Sequence, residues 1–206
     1  MSEVPDAVVF DLGGVLIDWN PRHLYRKLFA GDEAGMERFL AEVCTSEWNL
    51  AQDAGRPLAE GTALLVARHP GQAALIEAYY GRWQEMLDGT IQGSVDILAR
   101  LRAAGVRVLA LTNWSAETFF ALPRNRFPFV DWFEGIVVSG VERIVKPDPR
   151  IYRVLVERYR LTPARCVFID DLAGNAEAAT AAGLIGLRFV DAEKLAEDLR
   201  GLGLPV

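Results

Sequence analysis

The chain has 206 residues, of which 51% are hydrophobic and 24% charged, and its formal net charge is −6. This composition is that of a globular protein long enough to bury a full core. The negative charge argues against sequence-independent nucleic-acid binding, which draws on clustered Lys and Arg, and no run reaches the ~18 apolar residues of a membrane span. We therefore expect no nucleic-acid or membrane partner. Because no basic N-terminal stretch precedes a long apolar segment, we also expect a cytoplasmic protein.

Five short apolar runs predict the strands of a parallel sheet. They cover residues 7–10, 106–111, 135–138, 166–169 and 185–189. Nearly continuous Val, Ile and Leu are typical of strands that are buried on both faces. Helical patterns alternate with these runs, at residues 94–104, 116–122, 150–159 and 172–182. This alternation predicts an α/β fold with a doubly wound parallel sheet.

The stretch from residue 20 to residue 88 interrupts the alternation. It has helical periodicity at residues 23–29, 34–44, 58–68 and 72–85 and no convincing strand. It is too long for one crossover between neighbouring strands. We therefore predict a core domain of residues 1–19 and 89–206 and a helical cap domain of residues 20–88, which stands over the C-terminal edge of the first strand. The polar segments 18–21 and 88–90 are the expected hinges.

Chemically reactive residues follow four of the predicted strands. They are Asp11, the pair Thr112-Asn113, Lys146 after a short loop, and the pair Asp170-Asp171. The ends of parallel strands lie at one edge of a sheet, so these groups should meet in one cleft. A carboxylate can attack phosphorus to give an acyl phosphate, while cations and donors stabilise the phosphoryl oxygens. Mg²⁺ fits such a site because it prefers oxygen ligands, and Asp11 and Asp171 are the predicted ligands.

The four segments that contain these residues resemble the motifs of the haloacid dehalogenase-like hydrolase superfamily. The segments are VVFDLGGVL, LALTNWS, VKPDPRIY and CVFIDDLAGN, in that order. The helical insertion resembles the family's cap of the first type. Within the superfamily, the segments are most similar to bacterial α-glucose-1-phosphate phosphatases and to the phosphatase domain of soluble epoxide hydrolase. The resemblance implies a magnesium-dependent phosphatase that hydrolyses a small phosphoester, with sugar phosphates as the first expectation, through an aspartyl phosphate.

The resemblance also implies roles for individual residues near the first three strands. Asp11 is the nucleophile and a metal ligand, and Gly13 supplies a backbone carbonyl to the metal. Thr112 and Lys146 bind the phosphoryl group, and Asn113 helps to shape that site. We expect these five positions to lie together.

The paired acids after the fourth strand are assigned in the same way. The spacing to Asn175, four residues on, places Asp171 at the metal-ligand position. Asp170 stands beside it, and Asn175 supports the ligand from behind. Of the two acids, Asp171 is therefore the implied magnesium ligand.

Gly13 departs from the family pattern. Most phosphatases of the superfamily have a second Asp two residues after the nucleophile, and this Asp protonates the leaving oxygen and then activates water. Loss of a positioned acid or base typically costs ~10²–10⁴-fold in rate, so we expect a slow phosphatase. Three replacements remain open: a leaving group of low pKa such as a sugar anomeric oxygen, a proton from solvent, or a carboxylate such as Asp18 or Asp170.

Four residues near the hinge and in the insertion are candidate substrate contacts: Trp19, Asn20, Arg22 and Trp48. An arginine suits an anionic or hydroxyl-rich group, and a tryptophan can stack on a sugar face. The alternative is that the tryptophans anchor packing and that Arg22 pairs with an acid of the insertion.

The remaining Trp and both Cys residues are assigned to packing. Trp83, Trp114 and Trp132 are expected in the core or an interface. Cys44 and Cys166 have no metal-site spacing and are expected to be buried thiols.

Two other functions fit parts of the pattern. A 2-haloacid dehalogenase uses the same nucleophile without a metal and also lacks the second Asp, but Asp171 has no use in that chemistry. A non-catalytic protein that binds a phosphorylated ligand would use the same groups. The chain is compatible with a monomer or a homodimer.

Overall fold

The computed structural model describes residues 4–206, and a parallel sheet lies at its centre. The strands, numbered in chain order, are β1 (Ala7–Phe10), β2 (Ile17–Trp19), β3 (Leu87–Thr90), β4 (Arg107–Thr112), β5 (Gly135–Val138), β6 (Cys166–Asp170) and β7 (Ile185–Arg188). Five of them form one sheet in the order β5-β4-β1-β6-β7, with parallel pairing throughout. The predicted α/β fold with a doubly wound sheet is confirmed. The strand order reverses at β1, so the ligand-binding switch point of such sheets lies at its C-terminal end.

The helices surround this sheet or lie in the insertion after β2. They are α1 (Arg22–Phe29), α2 (Glu33–Glu42), α3 (Ser46–Asp53), α4 (Leu58–Arg68), α5 (Ala73–Gly81), α6 (Gln92–Ala103), α7 (Ala116–Phe120), α8 (Ser139–Glu142), α9 (Pro149–Tyr159), α10 (Ala173–Ala181) and α11 (Ala192–Gly201). Short 3₁₀ turns lie at Pro70–Gln72, Trp83–Met86, Pro128–Trp132 and Pro163–Arg165. The last of the four insertion patterns, at residues 72–85, is therefore divided between α5 and a 3₁₀ turn.

Hydrophobic packing on both faces of the sheet fixes the position of β1. Val8 and Phe10 belong to the cluster on one face, and Ala7 and Val9 belong to the cluster on the other. All four side chains are fully buried, as expected of a central parallel strand. Asp11, directly after β1, is therefore held at a rigid point of the sheet edge.

The insertion has a hydrophobic cluster of its own. Tyr25 of α1 lies near its centre, with ring centroids 5.1 Å from Phe39 and 6.1 Å from Tyr79. Its hydroxyl donates to the Leu75 carbonyl at 2.9 Å. Such packing gives these helices, most of which are too short to be stable in isolation, a common core.

The entry to and exit from the insertion are joined by a feature that the sequence analysis did not predict. The segments expected as simple hinges form an antiparallel pair, in which Ile17 of β2 faces Thr90 of β3 and Trp19 faces Leu87. Strands of three and four residues that contain Asp and Gly are too short for a period-2 pattern to be recognised. The pair holds the segment that enters the insertion and the segment that leaves it side by side, close to Asp11.

Two further observations concern the cysteines and the helices. Cys44 and Cys166 are buried free thiols, as predicted, and burial raises the pKa of each to about 12. Among residues 4–206, no helix has the length and apolar character needed to cross a membrane.

Candidate active site

The carboxylate of Asp11 is paired with Lys146 at the end of β1. Its Oδ2 lies 2.8 Å from Lys146 Nζ, and its Oδ1 accepts a hydrogen bond from the Leu12 amide at 2.7 Å. Burial raises the pKa of Asp11 to about 7, and the positive charge of Lys146 acts in the opposite direction. Any further cation in this cleft would act in the same direction as Lys146 and favour the ionised, nucleophilic form.

Lys146 is completely enclosed by acceptors. Only 1% exposed, it reaches Asp11, donates to Asp170 Oδ2 at 2.7 Å and donates to the Leu111 carbonyl at 2.9 Å. Its three N–H groups thus have three partners. Burial acts to lower the pKa of Lys146, but the charges of the two carboxylates outweigh it and raise the pKa. The ammonium therefore stays charged inside the protein.

Asp170 is a fully buried anchor with every oxygen engaged. Besides Lys146, it accepts from Asn175 Nδ2 at 3.0 and 3.1 Å and from the Leu172 amide at 2.9 Å. These bonds hold Lys146 and the start of α10 in place. Asn175 is thus hydrogen-bonded to Asp170 and not to Asp171.

Asp171 is the more accessible member of the acidic pair. One carboxylate oxygen from each of Asp11, Asp170 and Asp171 lies within 4.8 Å of the others. Burial raises the pKa of Asp171, and the neighbouring charge of Asp170 adds to the effect. A Cβ atom on Gly14, which has φ +73°, would lie 2.6 Å from Asp171 Oδ2. The glycine thus leaves room for this carboxylate beside the first turn.

Asn113 and Thr112 occupy different positions at the end of β4. Asn113 Oδ1 accepts from the Lys146 amide at 2.8 Å, and its Nδ2 donates to the Lys146 carbonyl at 3.0 Å. This pair of bonds fixes the loop that carries the lysine. Thr112 is only 1% exposed and does not line the cavity described next, whereas Asn113 does.

A cavity of about 590 Å³ opens between this cluster and the insertion. Site residues in its wall are Asp11, Gly13, Gly14, Asn113, Asp171 and Asn175. Apolar and aromatic residues in its wall include Trp19, Leu40, Leu50, Tyr79, Tyr80, Trp83, Met86 and Trp114. Its volume is typical of a site for a small organic ligand.

The residues proposed as substrate contacts divide into two groups. Trp19, Asn20 and Arg22 line the cavity, and Arg22 makes two bonds of 2.5 and 2.6 Å to Glu37. Trp48 does not line it. The Trp48 indole donates to the Gly61 carbonyl at 3.1 Å and packs at 5.1 Å against Tyr79, so it anchors the insertion.

Several cavity residues were missed as site residues by the sequence reasoning, among them two tryptophans and one acid. Trp83 and Trp114 were assigned to packing but also line the cavity, and Asp53 at the end of α3 was not considered. Burial raises the pKa of Asp53 to about 7, against the effects of the Ser115 amide and the charge of Lys146. Helix α3 was not predicted; the sequence feature that could have indicated it is Thr45, whose hydroxyl caps the helix at the Trp48 amide.

Gly13 has space around it that a side chain would fill. A Cβ atom placed there would meet nothing closer than Trp19 Cβ, at 3.8 Å. The missing second carboxylate is therefore not a consequence of crowding.

Comparisons with known proteins identify the family to which the chain belongs. The chain is 28% identical to the sesquiterpene phosphatase astK of Aspergillus oryzae, with 95% of each chain covered. It is 28% identical to acyl-CoA dehydrogenase family member 10 of Mus musculus over 97% of this chain, but it spans only 19% of that protein. A HAD family enzyme of Bacteroides thetaiotaomicron, solved with magnesium and inorganic phosphate, has the same fold with a TM-score of 0.69, at 24% identity over 91% of this chain and 95% of that one. The model of the haloacid dehalogenase-like hydrolases matches residues 5–183, and the chain therefore belongs to this family of hydrolases, as the four motifs predicted.

Proposed function

We propose that the protein is a Mg²⁺-dependent phosphatase that hydrolyses a small phosphoester through a phosphorylated Asp11. The observation that carries the proposal is the 2.8 Å pair of Asp11 and Lys146 at the wall of a cavity that also contains Asp171. A nucleophilic carboxylate beside a fixed cation and a second carboxylate suits phosphoryl transfer, in which positioning and charge supply most of the catalysis. The relative named as a phosphatase supports the same chemistry.

The charges of the cluster fit a divalent metal ion. The carboxylates of Asp11, Asp170 and Asp171 approach one another within 4.8 Å, and Lys146 offsets only one of the three negative charges. Because Asp170 is already saturated with donors, the proposed ligands are Asp11, Asp171 and the carbonyl of Gly13. Mg²⁺ favours such oxygen ligands. When bound, it would supply positive charge to the phosphoryl oxygens.

The side chains of the protein then have defined tasks. Asp11 attacks phosphorus and displaces the alcohol, and water later hydrolyses the aspartyl phosphate to inorganic phosphate. Lys146 favours the ionised form of Asp11 and places a positive charge beside the transferred group. Asn113 holds the lysine loop, and Thr112 remains a proposed phosphoryl contact on the basis of the family motif. Residues 20–88 act in this proposal as the cap that closes over the substrate.

The cavity lining suggests the organic part of the substrate. Trp19, Trp83 and Trp114 stand in the wall with two tyrosines, and the charge of Arg22 is balanced by Glu37. Such a wall suits an apolar or aromatic group better than the hydroxyl-rich ring of a sugar phosphate. We therefore propose the phosphoester of an apolar alcohol and keep sugar phosphates as the comparison class. The named substrate class of the sesquiterpene phosphatase is in line with this choice.

Metal removal tests the function directly. A panel of prenyl, aryl and sugar phosphates is incubated with the protein in Mg²⁺, in EDTA, and in EDTA followed by excess Mg²⁺. We expect phosphate release in Mg²⁺, its loss in EDTA and its recovery on addition of the metal, with prenyl or aryl esters turned over faster than sugar phosphates. Absence of metal-dependent release from every ester would contradict the proposal.

The two alternative functions, a 2-haloacid dehalogenase and a non-catalytic binding protein, predict different results. Halide release from a 2-chloroacid in EDTA would identify a dehalogenase, for which Asp171 would be an unneeded negative charge. Binding of a phosphoester without turnover, at equal affinity in wild type and Asp11→Asn, would identify a binding protein.

Gly14→Ala tests the proposed role of Asp171 in metal binding. The new Cβ at φ +73° must displace the Asp171 carboxylate, which lies 2.6 Å from its position. Gly105→Ala is the matched control, because Gly105 has φ +78° but nothing within 4 Å. Both variants should lose about 1–2 kcal/mol of stability from the left-handed backbone.

The two glycine variants should differ in their response to metal. A ligand that binds only the folded state raises its stability in proportion to ln(1 + [L]/Kd). Thermal unfolding with and without Mg²⁺ should show the wild-type increase in Gly105→Ala and a much smaller increase in Gly14→Ala. An equal increase in both variants would remove Asp171 from the proposed ligands.

A further inference from the structure

The cavity contains a carboxyl group to which the reaction above gives no task. Asp53, the last residue of α3, is 8% exposed and lines the cavity. It accepts from Asn49 Nδ2 at 2.9 Å and from the Ser115 amide. Within residues 4–206, no cationic side chain lies at ion-pair distance from it. The carboxyl of Asp53 is therefore buried in the wall of a ligand cavity and held by neutral donors only. Because no cation fixes it in the ionised form, it can gain and lose a proton.

The other carboxyl groups near the cavity already have tasks. Among the described residues, those in its wall besides Asp53 are Asp11, Glu37 and Asp171. Asp11 and Asp171 are the proposed nucleophile and metal ligand. Glu37 is held by both nitrogens of the Arg22 fork, and this hydrogen bonding lowers its pKa, so it remains an ionised acceptor.

The two carboxylates that the sequence suggested as replacements for the missing acid lie elsewhere. Neither Asp18 nor Asp170 is part of the cavity wall. Asp18 lies 3.0 Å from His23 Nε2, and Asp170 is enclosed by Lys146 and Asn175. Asp53 is therefore the remaining carboxyl that can reach a ligand in the cavity.

We infer that Asp53 is the general acid and base of the reaction, and that the insertion thereby supplies the proton carrier that is missing at Gly13. This inference rests on the proposed phosphatase function. In the first step, the Asp53 O–H proton moves to the leaving oxygen as the P–O bond breaks and the bond from Asp11 to phosphorus forms. In the second step, the Asp53 carboxylate takes a proton from water as the water oxygen bonds to phosphorus, which releases phosphate and the Asp11 carboxylate. The raised pKa of Asp53, about 7, supports both roles at neutral pH.

Asp53 also fastens the insertion to the sheet, and the test has to separate this role from catalysis. The Ser139 hydroxyl donates to the Asp53 carbonyl at 2.6 Å, and the Ser115 amide bonds its carboxyl. Loss of this attachment alone would slow all substrates alike. Loss of a proton donor slows the first step, release of the alcohol, only for substrates whose leaving oxygen needs a proton.

The experiment compares two esters of similar size in single-turnover reactions with Mg²⁺. In para-nitrobenzyl phosphate the leaving alkoxide needs a proton, whereas in para-nitrophenyl phosphate the ring stabilises the leaving oxygen. Asp53→Asn retains an acceptor for the Ser115 amide but cannot transfer a proton. Ser139→Ala breaks the other bond to the sheet, and Asp32→Asn, at the exposed cap of α2, controls for the type of substitution.

For Asp53→Asn, we expect release of the nitrobenzyl alcohol to slow by ~10²–10⁴-fold, and release of nitrophenol by less than about tenfold. In a separate reaction with excess nitrophenyl phosphate, nitrophenol should appear as a burst equal to the enzyme concentration, since hydrolysis of the phosphorylated Asp11 also lacks its base. Ser139→Ala should slow both esters by the same factor, and Asp32→Asn should slow neither. Equal slowing of both esters by Asp53→Asn, or no slowing, would overturn the inference while leaving the phosphatase proposal intact. Absence of turnover in the wild type would instead contradict the phosphatase proposal.

Discussion

Asp11→Asn is expected to abolish phosphate release. The amide cannot attack phosphorus, and removal of a catalytic nucleophile lowers turnover on the order of 10⁶-fold, which for a slow enzyme is the background of the assay. The measurement is phosphate release with Mg²⁺ from the best ester of the panel. The substitution leaves Lys146 bonded to Asp170 and to the Leu111 carbonyl, so the variant should fold.

The control for this variant is Asp191→Asn, an exposed helix cap at which asparagine serves as well as aspartate. It should retain wild-type turnover. Far-ultraviolet circular dichroism and denaturant unfolding of both variants separate a catalytic loss from a folding defect. A folded Asp11→Asn protein with wild-type turnover would exclude Asp11 as the nucleophile.

Among the variants described, Lys146→Met is expected to show the largest decrease in the free energy of unfolding. The side chain is 1% exposed, and its ammonium compensates the buried charges of Asp11 and Asp170 at 2.8 and 2.7 Å. Removal of one partner from a buried ion pair leaves uncompensated charge and costs about 3–5 kcal/mol. Urea unfolding in EDTA measures this loss without a contribution from bound metal. Turnover should also be lost, because the phosphoryl group loses its neighbouring cation.

Lys194→Met on α11 is the matched control. Lys194 is exposed and pairs with Asp198 of the same helix, and solvent screens such pairs. This variant should unfold at nearly the wild-type urea concentration. If the two lysine variants lost the same stability, the buried charge cluster would contribute no more than a surface pair.

The sheet and its reactive edge were predictable because each buried strand stops at a polar residue. The run before Asp11 is apolar on both faces, and the run before Asp170 has the same character, so period and length alone located both strands. The parallel order then brought the strand ends together. The resulting Asp11–Lys146–Asp170 cluster follows from topology that the alternation of strands and helices encodes.

The part of the cavity formed by the insertion was not predictable in the same way. Asp53 lies at the end of a helix with weak apolar periodicity, and its main-chain carbonyl accepts a hydrogen bond from Ser139, which is 86 positions away in sequence. Trp48 and Trp114 are the same residue type, yet Trp48 anchors the helices of the insertion and Trp114 lines the cavity. Which side of a helix faces a ligand depends on how the insertion packs on the sheet, and local sequence patterns do not specify that contact.

The most direct test of the central claim is to identify the phosphorylated residue during turnover. The protein is mixed with para-nitrophenyl phosphate and Mg²⁺, quenched in acid within the first turnover, reduced with borohydride and analysed by peptide mass spectrometry. Borohydride converts an aspartyl phosphate to homoserine, so we predict homoserine at position 11 and at no other aspartate. Full phosphate release with unmodified Asp11, or homoserine at a different aspartate, would contradict the proposal that Asp11 carries the phosphoryl group.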